Sequence, residues 1–228
     1  MWNFRRPAIG RLIISTIMTI IAASAIGKPA ITACGGNDVL FADNFSKPDA
    51  SWRPTDGAAF RDNRYIVTVQ PNGTITDWPS AFIFSGNYSV CARLKLPNDP
   101  TGAAGSGIVF WVDPERNKNG SHNYYMAVAS PDGYYWISRV FRGTRSYVVD
   151  AVQGDLIKTG ANDTNEISVI LKGNEGVFVI NGKEVGIFKG QPPRESYAGI
   201  TAGAPLEKKY ALEFSDFRVV KPPVSRQP

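Results

Sequence analysis

The chain has 228 residues, of which 43% are hydrophobic and 20% are charged, a balance that is ordinary for a globular protein with a buried core. Its formal charge of +5 comes from 25 basic and 20 acidic residues, and Arg5, Arg6 and Arg11 contribute three of the cations. The remaining 22 basic residues nearly balance the acidic ones, so we predict no nucleic-acid partner.

Residues 1–27 have the pattern of an export signal. A basic segment, Met1–Arg11, precedes an apolar run, Leu12–Ile26, that is too short to span a bilayer comfortably. Small residues at Ala23 and Ala25 offer a site for signal peptidase. We therefore predict a signal peptide over 1–27, a periplasmic or secreted location, and no membrane span in the mature chain. An uncleaved N-terminal anchor is the alternative.

Cys34 and Cys91 are the two cysteines of the chain, and both follow the export signal. In an oxidising compartment such a pair forms a disulfide, and we predict the bridge Cys34–Cys91. A second interpretation is open, because Ile31-Thr-Ala-Cys34 resembles a bacterial lipobox and would make Cys34 a lipid anchor. Lys28 and Pro29 interrupt the apolar run that a lipoprotein signal requires, which favours the disulfide.

Turn residues recur every eight to twelve positions beyond the signal, separated by segments rich in Val, Ile, Phe, Tyr and Trp, which is typical of an all-β sandwich or barrel. We predict one domain over 28–220, followed by a disordered tail over 221–228. A short helical turn is predicted within Ala151–Asn162. The predicted strands are Asp38–Phe45, Arg64–Gln70, Ser80–Ser85, Tyr88–Leu96, Gly105–Asp113, His122–Ser130, Tyr134–Phe141, Gly143–Asp150, Glu166–Lys172, Gly176–Ile180, Lys183–Lys189, Tyr197–Ala202 and Tyr210–Val220.

Two local features add detail to this pattern. Asn181-Gly182 is a strong hairpin signal, because a type I′ turn needs positive φ at both central residues. Trp52 follows the first strand in a polar loop, and we predict that it closes one end of the core. Asn165 and Asn181 are both predicted to have structural roles.

The three central strands carry most of the aromatic residues. Because alternate residues of a strand share a face, the apolar set Ile108, Phe110 and Val112 is predicted to face the core. The neighbouring positions then face outward or into a concavity. Flat rings beside hydrogen-bonding side chains suit a sugar, so we predict a ligand-binding surface there. Its predicted members are Trp111, Asp113, Asn123, Tyr125 and Arg139.

An ordered set of segments resembles the concanavalin A-like, laminin-G-like jelly roll. Within that superfamily the chain is most similar to exported bacterial domains of unknown function 1080, the 3-keto-disaccharide hydrolase-like proteins. The resemblance implies two antiparallel sheets packed face to face, with a concave face that often meets sugars in relatives. The segments that carry it are Phe41–Phe45 with Trp52, Gly105–Trp111, Tyr124–Val128, Gly133–Arg139, Asn165–Val169, Val179–Lys183, Gly199-Ile200 and Phe214–Val219.

Enzyme signatures are scarce. A retaining glycosidase of this fold would carry a Glu-x-Asp-x-(x)-Glu run, and the sequence has none; Asp113-Pro-Glu115 is predicted to lie in a loop. His122 is the single histidine and is predicted to lie at the surface. We predict no catalytic residue, no metal and no cofactor. The resemblance to laminin-G-like domains leaves a calcium ion shared by Asp43 and Asp216 open.

Three functional hypotheses follow. The leading one is an exported, non-catalytic carbohydrate-binding or adhesive module with a glycan partner. The second is a hydrolase of a glycan or modified disaccharide, as the family resemblance implies. The third is a structural envelope domain that binds another protein. The fold hosts all three kinds of function, so the site must distinguish them.

Overall fold

The computed structural model describes residues 34, 38–97, 105–160 and 163–222, and all regular structure in these ranges is β-strand. No helix in this part of the chain has the length and apolar character needed to cross a bilayer. In chain order the strands are β1 (Val39–Asp43), β2 (Ala58–Arg61), β3 (Arg64–Val69), β4 (Thr74–Asp77), β5 (Phe84–Ser85), β6 (Tyr88–Lys95), β7 (Gly105–Val112), β8 (Tyr124–Ala129), β9 (Tyr134–Phe141), β10 (Thr144–Gln153), β11 (Asn165–Lys172), β12 (Glu175–Ile180), β13 (Lys183–Lys189), β14 (Glu195–Gly203) and β15 (Tyr210–Val220).

The strands form two antiparallel sheets that pack as a sandwich, which confirms the predicted fold class. An eight-stranded sheet has the order β13-β12-β11-β6-β15-β3-β2, with β1 paired to β15. A seven-stranded sheet has the order β10-β9-β8-β7-β14-β4, with β5 paired to β14. The first and last strands of the described residues, β1 and β15, are therefore neighbours.

Aromatic side chains fill the space between the sheets near β1 and β15. The rings of Phe41 and Phe217 lie 6.0 Å apart. Trp52 is buried against Phe217, at 5.4 Å, and its Nε1 donates a hydrogen bond to Asp43 Oδ2. The indole therefore closes this end of the core with its polar atom satisfied, as predicted.

The turn at Asn181-Gly182 has φ angles of 50° and 78°, so the predicted hairpin between β12 and β13 is confirmed. Asn181 Nδ2 donates to Leu156 O, and its Oδ1 accepts from Glu166 N–H. Asn165 makes two hydrogen bonds to the backbone of Lys158. Both asparagines thus satisfy buried or half-buried backbone groups, in agreement with their predicted structural roles.

Cys34 and Cys91 form a disulfide, with their Cα atoms 6.1 Å apart. This confirms the predicted bridge and corrects the alternative in which Cys34 carries a lipid, because the bridge occupies the sulfur that acylation needs. Cys91 lies on the face of β6 that points away from the core, packed with Ile170 and Val179. The bridge therefore attaches Cys34 to the outside of the eight-stranded sheet.

Several element boundaries differ from the predictions. Strands β2 and β4 were not predicted, and only Phe84–Ser85 forms a strand within the predicted Ser80–Ser85. The predicted helical turn is absent from residues 151–160, because β10 continues to Gln153. These short edge segments pair on one side only, so long-range pairing decides them more than local sequence does.

The predicted signal peptide, 1–27, lies outside the described residues. Of the predicted tail, Lys221 still bonds to the domain: its N–H donates to Asp38 O and its Nζ lies 3.4 Å from Asp38 Oδ2. Residues 223–228 lie outside the described part of the chain.

Candidate functional site

A β-bulge in β7 changes the faces that the sequence predicts for its last residues. In the pairing with β14, Gly199 is opposite Val109 and Tyr197 is opposite Val112, so two residues of β7 face the single residue Ala198. Trp111 has a φ of +48°, as expected for the left-handed residue of a bulge. Phe110 and Trp111 consequently point the same way, into the core.

The structure therefore contradicts the predicted orientation of Trp111. Its side chain is 3% exposed and lies against Tyr125 (5.2 Å between ring centroids) and Phe188 (5.9 Å). Val112, predicted to face the core, lies on the opposite side of the sheet. The ring also approaches Gly190 so closely that a Cβ there would lie 2.3 Å from Trp111 Cζ3. Trp111 is a core residue.

Tyr125 is likewise buried, at 4% exposure, because it pairs directly with Phe110 on the core face. Its hydroxyl accepts a hydrogen bond from Gln191 N–H at 3.0 Å, which ties the loop after β13 to β8. The prediction that it faces outward is wrong, because both faces of β8 are apolar and the alternation there carries no information about direction.

The three polar members of the predicted surface lie at one corner of the seven-stranded sheet. Asp113 and Asn123 line a cleft of about 470 Å3 beside the connection between β7 and β8. Asp113 N–H donates to Asn123 O, and Asn123 Oδ1 accepts from Arg142 N–H. Arg139 lies 4.3 Å over the ring of Phe141, which lines the same cleft. We call this the loop cleft.

A second cleft, of about 380 Å3, lies on the other side of the same connection, and the sequence analysis did not identify it. Arg116 lines both clefts. The rings of Trp78 and Tyr197 stack with an interplanar angle of 16° and a centroid distance of 5.9 Å. Both rings are half-buried and remain accessible from the cleft. We call it the platform cleft; it is lined by Arg53, Thr55, Thr76, Asp77, Trp78, Ser80, Arg116, His122 and Tyr197.

The platform belongs to the outer face of the seven-stranded sheet, the face opposite the core. Val109, Val112 and Trp136 form part of an apolar cluster there, and Trp78 and Tyr197 pack on it. Tyr197 comes from β14, where it alternates with the core residue Ala198, whereas Trp78 follows the end of β4. Pairing of β4 with β14 brings together two residues that are 119 positions apart in sequence (197 minus 78).

Asp77 holds Trp78 in place. Its Oδ1 accepts from Trp78 N–H at 2.8 Å, and its Oδ2 accepts from the Tyr65 hydroxyl at 2.5 Å. The Arg53 N–H donates to it as well. Burial raises the pKa of Asp77, because desolvation of the carboxylate outweighs these three hydrogen bonds. The same burial, with the neighbouring carboxylate, raises the pKa of Tyr65.

Asp77 should therefore make stability fall as pH rises above 3.8, the ordinary pKa of the group. Below that value both states are protonated; above it the unfolded chain releases its proton first, which favours unfolding until the raised folded pKa is passed. We expect Asp77→Asn to gain stability relative to the wild type across this window in urea unfolding. Asp49→Asn should instead lose stability relative to the wild type as pH rises, because hydrogen bonds from Ser51 lower the pKa of Asp49 in the folded protein. If the free energies of unfolding of wild type and Asp77→Asn changed in parallel with pH, the raised pKa of Asp77 would be contradicted.

His122 borders the platform and is half-buried. Its ring meets Trp78 edge-on, with centroids 5.2 Å apart. Nδ1 lies 2.6 Å from Asp113 O, and because a carbonyl only accepts, Nδ1 carries the proton of this bond. Nε2 is then the ring atom available to a ligand. The predicted surface position is correct, and the contact with Trp78 adds a role in the cleft.

A calcium ion shared by Asp43 and Asp216 does not fit the side chains. Asp43 is buried, with its oxygens accepting from the N–H groups of Phe45 and Asp49 and from Trp52. Asp216 instead pairs with Arg218. Among the described residues no group of three or more His, Cys, Asp or Glu side chains could hold a metal.

The clefts also differ in their carboxylates. Among the described residues that line the platform cleft, Asp77 is the single acid, and its oxygens bond inward. Asp113 and Glu115 line the loop cleft, where Asp113 Oδ1 accepts from Glu115 N–H. Glycosidases that use two carboxylates place them on opposite sides of the scissile bond. The platform cleft does not provide such a pair.

The chain is similar in structure to solved β-sandwich proteins. A protein of unknown function with a galectin-like fold from Bacillus subtilis matches with a TM-score of 0.63 and 17% identity, over 82% of this chain and 97% of that one. Carbohydrate-binding module CBM66 from Bacillus subtilis matches with a TM-score of 0.59 and 13% identity, over 75% and 96%. A Bacillus licheniformis β-glucanase matches with a TM-score of 0.59 and 10% identity, over 81% and 99%.

These likenesses confirm the predicted concanavalin A-like jelly roll. At such identities they establish the fold alone. No family model matches the sequence, and comparison with the curated proteins found no match. The finer resemblance to domains of unknown function 1080 therefore stays a prediction.

Proposed function

We propose that this protein is an exported, non-catalytic carbohydrate-binding module that holds a glycan in the platform cleft. The observation that carries the proposal is the Trp78–Tyr197 stack in a cleft that polar side chains also line. The apolar C–H face of a pyranose packs against flat rings, and its hydroxyls require donors and acceptors at the ring edge. The walls provide these in Thr76, Ser80 and His122.

The platform is rigid, which favours binding. Tyr197 lies within β14, and the backbone N–H of Trp78 is held by Asp77 Oδ1. A preformed aromatic surface loses little conformational entropy when a ligand stacks on it. The named similar structures include a carbohydrate-binding module and a β-glucanase, so a sugar ligand is consistent with proteins that share the fold.

An extracellular or periplasmic location is part of the proposal. The disulfide requires an oxidising compartment to form and persist. The predicted export signal over 1–27 would deliver the chain there. A glycan of the cell envelope or surroundings is then the partner, rather than an intracellular sugar.

We expect Trp78→Ala to weaken glycan binding at least about tenfold, equivalent to about 1.4 kcal/mol. The change removes one of the two stacked rings. The measurement is a glycan array with wild-type protein, followed by calorimetric titration of the best ligand into both proteins. Tyr134→Ala is the matched control, because Tyr134 is a partly exposed aromatic at the opposite end of β9 from the clefts.

Equal binding by Trp78→Ala and wild type would contradict the proposed site, and a wild type that binds no glycan would contradict the function. The hydrolase alternative has its own observation, because Asp113 and Glu115 line the loop cleft together. Incubation of the bound glycan with wild type should release no new reducing ends. Cleavage that is lost in Asp113→Asn would replace the binding module with a hydrolase.

A further inference from the structure

We propose that the glycan of the platform cleft is anionic, with carboxylate or sulfate groups that the cleft arginines bind. This inference rests on the proposed function and specifies its ligand class. It comes from the arrangement of charge around the two clefts.

Three arginines of the eight-stranded sheet have acidic partners. Arg64 pairs with Glu213, Arg93 with Glu166 and Arg218 with Asp216. In contrast, no described carboxylate lies within ion-pair distance of Arg53 or Arg116, the two arginines that line the platform cleft.

Among the described residues, the one carboxyl group that lines the cleft pairs with neither of these arginines. This carboxyl, Asp77, is 7% exposed, accepts three hydrogen bonds from the protein, and has a raised pKa. Arg116 Nη1 donates to Gly120 O at 2.5 Å, which fixes the guanidinium and leaves its other N–H groups for a ligand. A guanidinium fork binds a carboxylate or sulfate with two parallel, charge-assisted hydrogen bonds.

The unpaired cations continue into the loop cleft. The Cζ atoms of Arg139 and Arg142 lie 4.3 and 5.1 Å from the ring of Phe141, and neither arginine has a described carboxylate within ion-pair distance. Both guanidinium groups lie near one ring, so an anion bound between them would offset their mutual repulsion. Lys118 lines the same cleft. An acidic polysaccharide could thus extend from the platform cleft past Arg116.

Arg142 is an unusual residue for its position. It has a φ of +53° in the two-residue turn between β9 and β10, followed by Gly143 with a φ of +82°. Such turns favour Asn, Asp or Gly at the first position. A bulky residue there costs backbone energy, and such strain concentrates at functional sites. The turn places a cation at the rim of the loop cleft, which accounts for an arginine there.

General basicity does not explain the pattern. Beyond the predicted signal the chain has 22 basic and 20 acidic residues, so its net charge is small and the preference for an anion depends on the arginines of the cleft. The Asp113 and Glu115 carboxylates face the loop cleft, and they are absent from the lining of the platform cleft. We therefore expect the strongest anion contact at Arg53 and Arg116.

The test uses two pairs of polymers that share a backbone and differ in charge: polygalacturonate against its methyl ester, and dextran sulfate against dextran. We expect the full-length exported protein to bind at least one charged member at least about tenfold more tightly than its neutral partner. Arg53→Gln and Arg116→Gln should each remove most of that preference. Raising NaCl from about 20 mM to about 0.5 M should weaken binding to the charged polymer strongly.

Lys172→Gln is the control, because it removes one exposed cation at the end of β11, outside both clefts. It should leave the preference unchanged. An equal loss in Lys172→Gln and in the arginine variants, or equal binding of charged and neutral polymers, overturns the anionic ligand. Neutral glycan binding that needs Trp78 but not the arginines would leave the proposed function standing without this inference. Absence of binding to every glycan would overturn both.

Discussion

Trp111→Ala should lower the free energy of unfolding by about 3–5 kcal/mol, the range for truncating a large buried aromatic. The side chain is 3% exposed and contacts Phe110, Tyr125 and Phe188, so its removal leaves a cavity between the sheets. Close packing on Gly190 limits how far the surrounding backbone can collapse into that cavity. Urea unfolding followed by fluorescence would measure the change.

Trp78→Ala is the matched comparison, because it truncates the same side chain at a half-buried position. We expect it to cost much less stability than Trp111→Ala while it removes glycan binding. Trp111→Phe should recover most of the stability, because it keeps a ring in the cavity. A loss of less than about 1 kcal/mol in Trp111→Ala would contradict the core assignment.

The contrast between these two tryptophans shows what sequence periodicity can and cannot predict. Strict alternation in β7 predicts that Trp111 faces away from Phe110, and only the bulge reverses this. A bulge depends on the partner strand, which is 86 positions away at Tyr197 (197 minus 111), so no local pattern announces it. The left-handed conformation usually occupied by Gly has a Trp here, which removes the customary signal.

A second obstacle to predicting side-chain direction from the sequence is that both faces of the central strands are apolar. Met126 and Val128 on the outer face are as buried as Ala127 and Ala129 on the core face. Alternation identifies the buried face only where the other face meets water. In β3 the alternate residues Tyr65, Val67 and Val69 are buried and the residues between them are less so, so alternation there does identify the core face.

The platform cleft could not be predicted because its parts are distant in sequence. Arg53, Trp78, Arg116 and Tyr197 lie in four separate segments, and the topology of the sheet joins them. The polar corner of the predicted surface was easier to predict from the sequence, because Asp113 and Asn123 flank a single loop. The polar members of the predicted surface thus lie beside the same connection, between β7 and β8, as the proposed platform cleft, whereas Trp111 and Tyr125 lie on the core side of the sheet.

Removal of the disulfide should lower the free energy of unfolding by an amount similar to that expected for Trp111→Ala. The bridge closes a loop with a sequence separation of 57, and the chain-entropy model assigns such a loop about 4 kcal/mol of stabilisation. We expect the double variant Cys34→Ser/Cys91→Ser to unfold at a lower urea concentration by a corresponding amount. The slope of the transition should rise as well, since the unfolded chain without the cross-link exposes more surface.

Reduction of the wild-type protein is the independent control, because it breaks the bridge without changing the sequence. It should reproduce the stability of the double variant. The bridge lies on the outside of the eight-stranded sheet, whereas both clefts belong to the other sheet, so glycan affinity should be unchanged below the unfolding transition. Equal stability of oxidised and reduced protein would show that Cys34 contributes nothing to the fold. A loss of glycan affinity on reduction would instead show that the N-terminal attachment supports the distant cleft.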